Sequence, residues 1–280
     1  MVYYTPDDNR QNIQFQTKEK MMPKIDFKHL TFIRNEQPLL DDISWQVDEG
    51  QHWGILGLNG AGKSLLLQMI TGALWPSAGT RNVLGEILGK TSVPDLQRRI
   101  GWVSAAIQGK FYASDPIEDI VLSGKFASIG LYQHYDRALL EQAKHHLSSL
   151  GISHLIGAPF RQLSQGEKQL VMIARALMAD PEIMILDEPC TGLDLFAREE
   201  FLHRISALQY AEHPPTFIYV THHTEELLPF FDHLLLLKKG KVYASGPRKQ
   251  VFTEDNLAAF YEKPITIYPF TEARQIVLPK

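Results

Sequence analysis

What the chain has little of narrows it first. It carries one cysteine in 280 residues, Cys190, so no internal disulfide can form, and that usage fits a reducing compartment. No run approaches the roughly 20 apolar residues needed to cross a bilayer. The most apolar stretch, residues 227–237, is broken by Pro229, Asp232 and His233. Excess positive charge is missing too: the formal net charge is -4, which argues against a basic nucleic-acid platform, and no direct nucleic-acid contact is expected. No charged segment followed by an apolar run opens the chain, which sets the expectation of a cytoplasmic protein whose membrane contact goes through a partner. With 44% hydrophobic and 21% charged residues, the chain can bury a substantial core, as one large domain or a domain with a subdomain.

What is present is a phosphate-binding loop. Residues 57–64 read Gly57-Leu58-Asn59-Gly60-Ala61-Gly62-Lys63-Ser64, a full G-x-x-x-x-G-K-[ST] pattern running into Leu65. Glycines at 57, 60 and 62 let the backbone turn tightly, so that successive N–H groups point at phosphates from the positive end of a helix starting near Lys63. Lys63 would reach the β- and γ-phosphates as a point charge, and the Ser64 hydroxyl would be a Mg²⁺ ligand. Residues 53–58 are a mostly apolar strand-like run, and Leu65, Leu66, Leu67 and Ile70 open a helix ending near Gly72. That strand, loop and helix order argues against a chance glycine-rich turn.

Residues 1–23 read as a polar, patternless arm, with natural starts at Met21 or Met22 open beside Met1. Residues 24–31 and 43–47 read as strands and 48–50 as a turn. Between 110 and 160 the texture is helical: one helix starts at Pro116 and runs through Leu122. A second, polar and amphipathic, spans 135–150 with Leu139, Leu140, Ala143 and Leu147 on one face. Residues 183–186 and 216–221 read as buried parallel strands, 234–238 and 241–244 as a hairpin around Lys239-Gly240, and 264–280 as a strand-like tail. The expected fold is α/β: a phosphate-loop NTPase core with a mostly parallel central sheet, an antiparallel N-terminal β part and a helical subdomain inserted at about 110–180. The loop has no second copy.

Four apolar residues precede Asp187-Glu188, placing both carboxylates at the C-terminal end of a central strand, where ligands bind in open α/β sheets. Asp187 would hold Mg²⁺ directly or through water, and Glu188 would polarise an attacking water. A solvated turn is the plainer reading of a lone Asp-Glu pair, and the phosphate loop upstream outweighs it. Ser164 and Glu167 form a capping box ahead of a helix with Leu170, Ile173, Ala174 and Leu177 on one stripe. One reading is a cap worth about 1 kcal/mol. The other keeps the cap and adds a ligand, because Ser164, the Gly166 N–H and the helix dipole suit a γ-phosphate; cap geometry alone leaves both open. His222 and His223 are adjacent on an extended segment, where side chains point to opposite faces and chelate poorly together.

Taken together, the phosphate loop, Leu163-Ser164-Gln165-Gly166-Glu167, Ile185-Leu186-Asp187-Glu188-Pro189, Thr191-Gly192-Leu193-Asp194 and Val220-Thr221-His222-His223 resemble the ATP-binding cassette (ABC) ATPase family, in family order from about residue 24 to 250. The resemblance implies an ABC ATPase domain over 24–262 with a C-terminal tail at 263–280. It implies ATP and Mg²⁺ as ligands, and a head-to-tail dimer with a second cassette, an identical chain in the simplest case. Glu188 would be the catalytic base, His222 the γ-phosphate switch, and Asp194 part of the loop linking the two sites. The approach Glu49-Gly50-Gln51-His52-Trp53 and the loop Gly101-Trp102-Val103-Ser104 are also similar to a subgroup associated with molybdate-type transport and photorepair-like proteins.

The chain departs from the family pattern in three places. Where an aromatic residue usually stacks on adenine it has Ile33-Arg34, so Arg34, with Phe32, is expected to support the base through its guanidinium plane. Ser104-Ala105-Ala106 stands where a Pro-Gln pair usually supplies a Mg²⁺ contact. Either Gln108, three residues late, substitutes, or Mg²⁺ keeps an extra water and coupling runs differently. Gln165 replaces the commonest Gly and is tolerated if it points to solvent or across the dimer. The expected function is the ATP-hydrolysing subunit of a membrane transporter docked on integral permease subunits, peripheral at the inner face of the membrane. Phe111, Tyr112, Tyr132 and Tyr135 are candidates for that docking surface. A non-transport ABC ATPase acting on a soluble partner is the alternative, and Glu188 argues against a binder without hydrolysis.

Overall fold

The computed structural model describes residues 22–87, 89, 92–271 and 273–280; the expected arm lies outside the described residues up to residue 21. Chain order begins with β1 (Ile25–Arg34), β2 (Gln37–Val47), β3 (Trp53–Leu56), α1 (Lys63–Ile70), β4 (Ala78–Val83), β5 (Glu86–Ile87), α2 (Val93–Arg98) and β6 (Ile100–Ser104). A helical stretch follows: α3 (Ala105–Gln108), α4 (Ile117–Ser123), α5 (Arg137–Ser149) and α6 (Gln165–Leu177). Then come β7 (Ile183–Asp187), α7 (Leu195–Leu208), β8 (Thr216–Thr221), β9 (His233–Lys238), β10 (Lys241–Pro247), α8 (Arg248–Val251), α9 (Glu254–Tyr261), β11 (Ile265–Thr271) and β12 (Arg274–Pro279).

The central sheet runs β10-β9-β3-β8-β7-β6. Five of these strands are parallel neighbours, and β10 returns antiparallel at one edge. An antiparallel sheet, β2-β1-β4-β5, covers one side of it. Side chains that alternate along a buried strand feed two different cores. Ile183 and Ile185 of β7 pack with Ile55, Ile218, Leu66 and the antiparallel sheet, whereas Met184 and Leu186 pack with Leu170, Ile173 and the helical part. The run of apolar residues at 183–186 is therefore buried on both faces, as expected for a parallel strand between layers.

Several expectations change in extent. The second strand reaches back to Gln37, although Pro38, Asp41 and Asp42 break its apolar pattern. It lies at the edge of its sheet, where proline and exposed acids are tolerated. The first strand continues to Arg34 past an irregular register at His29, and Asn35 and Glu36 both take positive φ in the tight turn to β2. Phe111, a candidate for the docking surface, is instead buried, with the Arg175 guanidinium 5.4 Å from its ring centre; Tyr112, Tyr132 and Tyr135 are exposed. The tail forms the antiparallel pair β11-β12.

Candidate functional site

Strand register gathers the site. Leu56 aligns with Thr221, Val220 with Asp187, and Asp187 with Ser104, so β3, β8, β7 and β6 end at one edge of the sheet. The loop at 57–62, Glu188, His222 and α3 emerge side by side from these ends, the place where open α/β sheets bind ligands.

The loop's shape depends on its glycines. Gly62 caps α1 at φ 103°, and a Cβ there would lie 2.8 Å from Leu40 Cδ2; one on Gly57 would lie 2.8 Å from the Leu237 carbonyl. No larger residue fits either position without displacing its neighbours. With Gly62 in that conformation, the first N–H groups of α1 have no side-chain cap and remain donors for an anion. The other end of α1 is held by the buried Arg81 of β4, which donates to the carbonyls of Met69 and Ile70 and complements the negative helix end. Burial lowers the Arg81 pKa to about 10, which leaves it charged at neutral pH.

Residues 58–65 and Glu188 line a cleft of about 280 Å³. Lys63 is 8% exposed; its Nζ donates to the Gly57 carbonyl at 2.7 Å and lies 3.2 Å from Glu188 Oε1. His222 Nδ1 is 3.5 Å from the same oxygen, so Glu188 stands between the lysine and the histidine. Glu188 itself takes a left-handed φ of 48° and donates its N–H to Val220 at 2.9 Å. That strained backbone, rare for a non-glycine residue, turns the carboxylate out of the strand direction toward the loop. Burial pushes the Asp187 carboxyl up to about 6, the Glu188 charge adds to the rise, and Lys63 opposes it. A carboxyl short of positive charge and a serine hydroxyl in the first turn of α1 are oxygen donors of the kind a hard divalent cation takes.

The remaining predicted residues fall elsewhere. Ser164 caps α6 by accepting from Glu167 N at 3.3 Å, and Glu167 Oε2 accepts from Ser164 N at 2.7 Å. Ser164 and Gly166 line a second cleft with Glu167, Leu170 and Ala197, separate from the phosphate cleft of their own chain. Asp194 caps α7, accepting from Ala197 N at 2.9 Å. Arg34 is exposed at the end of β1, with its guanidinium 5.4 Å from the Phe32 ring centre, and is not among the residues lining the phosphate cleft.

Two expectations need correction. Gln108 ends the helical turn α3, which Ser104 caps, and its amide donates to Gln165 Oε1 at 3.3 Å. The turn of helix directs it to the start of α6 and it does not line the phosphate cleft, which argues against the Mg²⁺ contact. Gln165 accordingly meets Gln108 of its own chain and stays half-buried. Strand β8 ends at Thr221 and His222 lies in a bend, so although His223 keeps an extended backbone the two rings do not point to opposite faces, and their centres lie 4.1 Å apart. Among the described residues no group of three or more histidines, cysteines and acids is placed to hold a metal ion.

Sequence reasoning missed what lies behind the site. Glu226, buried in the 3-10 turn Thr224–Glu226, accepts from Thr221 Oγ1 at 2.7 Å and from Tyr219 OH at 3.1 Å. Cys190 Sγ contacts the same tyrosine hydroxyl at 3.3 Å, and Thr221 Oγ1 accepts from His223 N at 3.0 Å. Burial raises the Glu226 pKa, against the lowering effect of the Thr221 hydrogen bond. Only an acid four residues after His222 hinted at this network, and nothing local marks such an acid as buried.

A glycine loop between strand and helix, a buried lysine, and an acid pair at the end of a strand one place removed in the sheet define a phosphate-loop nucleotide hydrolase. Comparison with known proteins narrows the class. The ABC transporter family profile matches residues 40–191. The chain is 42% identical to a putative ABC transporter ATP-binding protein of Streptococcus mutans serotype c, over 92% of this chain and all of that one. It is 34% identical to the manganese transport system ATP-binding protein MntB of Bacillus subtilis, over 86% of this chain and 94% of that one. Among solved structures it is similar to cbiO1 of Clostridium perfringens, part of the ABC transporter complex cbiONQ, with TM-score 0.73 and 26% identity over 85% and 93% of the two chains. The chain belongs to the ABC transporter family as an ATP-binding, ATP-hydrolysing subunit that powers a membrane transporter, and a non-transport role is not favoured.

Proposed function

We propose that two copies of this chain pair head to tail, with each ATP held between residues 57–65 of one copy and Ser164, Gly166 and Asp194 of the other. The observation that carries this reading is the separation of two phosphate-binding features within one chain. The uncapped start of α1 and the capped start of α6 line different clefts, so a second chain is needed to bring both onto one nucleotide. The surface supports it: Leu58 of the phosphate loop and Leu195 and Phe196 beside Asp194 are 53%, 55% and 83% exposed, an apolar set that pairing would cover.

Within that site Lys63 binds the β- and γ-phosphates, Glu188 accepts the proton of the attacking water, and His222 orients on the γ-phosphate through its edge next to Glu188. Ser64 and Asp187 would hold Mg²⁺, which when bound would neutralise charge on the phosphates. Arg34 supports adenine as a planar cation. Mutation tests the core of this reading: Glu188→Gln should lower ATP turnover by about 100-fold or more, the usual range for a lost general base, while ATP still binds. Turnover equal to the parent would contradict it.

The transporter's membrane subunits are proposed to dock at the groove of about 290 Å³ between sheet and helices, where Trp102, Ile107, Lys110, Ile129 and Arg175 converge. Ile107 lies beside Gln108, whose bond to Gln165 adjoins Ser164, so pressure on the groove reaches the start of α6 through α3. No described helix is long and apolar enough to cross a membrane, which supports attachment at the inner face of the membrane through these partners. Co-purification of an integral membrane protein with the native chain is expected.

A further inference from the structure

We infer that the C-terminal hairpin β11-β12 is a strap that holds the His222 segment in place, with Arg274 as its positioning residue. The inference rests on the role proposed above for His222. Arg274 is 7% exposed although it opens the last strand of the described chain. Its Nη1 donates to the Glu225 carbonyl at 3.1 Å, its Nη2 pairs with Glu199 Oε2, and its Nε donates to Thr271 Oγ1 at 3.3 Å. The guanidinium also lies 5.2 Å from the Phe270 ring centre. One side chain thus joins three elements: the hairpin, the turn that follows His222, and α7, which Asp194 caps.

A second bond makes the attachment specific. Val277 N of β12 donates to Thr224 Oγ1 at 3.0 Å, and Thr224 is buried two residues after His222. On the far side of the turn, Glu225 Oε1 lies 3.4 Å from His223 Nδ1 and 3.6 Å from Arg198 Nη1 of α7. Ile267 N closes the other strand onto Glu254 of α9 at 3.0 Å. Without the hairpin, the turn at 224–226 would keep its bonds through Glu226 and the Glu225 pairs with His223 and Arg198 but lose the bonds from Arg274 and Val277. Arginine suits this place because its rigid planar fork reaches a carbonyl, a carboxylate and a hydroxyl from three separate nitrogens, a spread that lysine's single nitrogen reproduces only in part. Arg274 touches no nucleotide in this arrangement; it acts on the distance between the histidine segment and the helix carrying Asp194.

The test uses the full-length chain and follows ATP turnover, the KM for ATP and thermal unfolding in Arg274→Gln, Arg274→Lys, Thr224→Val, His222→Ala and Arg274→Gln/His222→Ala. A misplaced catalytic segment slows chemistry more than it weakens ground-state binding, so Arg274→Gln should lower kcat about tenfold with KM changed less than about twofold. Arg274→Lys should recover part of that loss, and the double variant should be no slower than His222→Ala alone, since both changes act on one group. If Arg274→Gln does not fold, Thr224→Val carries the test, with a fall in kcat of about threefold expected from a smaller displacement. Parental turnover in both Arg274→Gln and Thr224→Val beside a slow His222→Ala would overturn the strap alone, as would full additivity in the double variant. Parental turnover in His222→Ala would overturn the role of that histidine and the strap with it.

Discussion

At the scale of single residues, the site depends on two acids with opposed surroundings. Glu188 is turned by its own strained backbone between Lys63 and His222, where it can meet a water. Glu226, behind the same segment, is buried and favoured in its protonated form. The sign of its effect on stability follows: the unfolded chain ionises this acid near 4.5 and the folded chain only at higher pH. Folding therefore loses stability as pH rises from that lower value to the raised one, and is level beyond it. Glu226→Gln, which still accepts from Thr221 and Tyr219, should remove this decline; melting temperatures of both proteins between pH 4.5 and 8 check it. At the base, Arg34→Ala should weaken ATP binding by about 1–3 kcal/mol, the range for a lost stacking partner, measured by nucleotide titration. Residues with a fixed chemical role and spacing, from Gly57 to Ser64 and at Asp187 and Glu188, were legible in the sequence. Those whose meaning depends on a distant neighbour, such as Gln108 against Gln165, were not.

At the scale of elements, the start of α6 can be separated into its two readings. Its capping box is formed, with hydrogen bonds from Ser164 holding the Glu167 carboxyl below its ordinary range although burial works the other way. Ser164→Asp keeps a good N-cap but sets a negative charge where the second chain's γ-phosphate is proposed to arrive. Its unfolding free energy should stay within about 0.5 kcal/mol of the parent, and ATP turnover should fall by at least an order of magnitude. Equal turnover would leave only the cap. Periodicity revealed α5, whose apolar face repeats at the helical period, and unbroken apolar runs revealed β7 and β8, which are buried on both faces. It failed at residues 37–42 of β2, where an edge position admits Pro38 and exposed acids. It also failed at Phe111, whose cover comes from Arg175 far along the chain.

At the scale of the whole molecule, the start of α1 opens at the edge where β3, β8, β7 and β6 end, and the start of α6, the other feature proposed to grip ATP, lines a separate cleft beside α7. The exposed Phe196 beside Asp194 is expected to lie against the second chain. Phe196→Glu should therefore weaken ATP-dependent pairing about tenfold or more, as burying an unpaired charge does, without lowering the melting temperature of the single chain. The most direct measurement is the sedimentation mass of Glu188→Gln with and without ATP and Mg²⁺. Glu188→Gln should sediment with the mass of one chain without nucleotide and of two chains with ATP. A mass of one chain under both conditions, with ATP demonstrably bound, would contradict a site completed by a second copy.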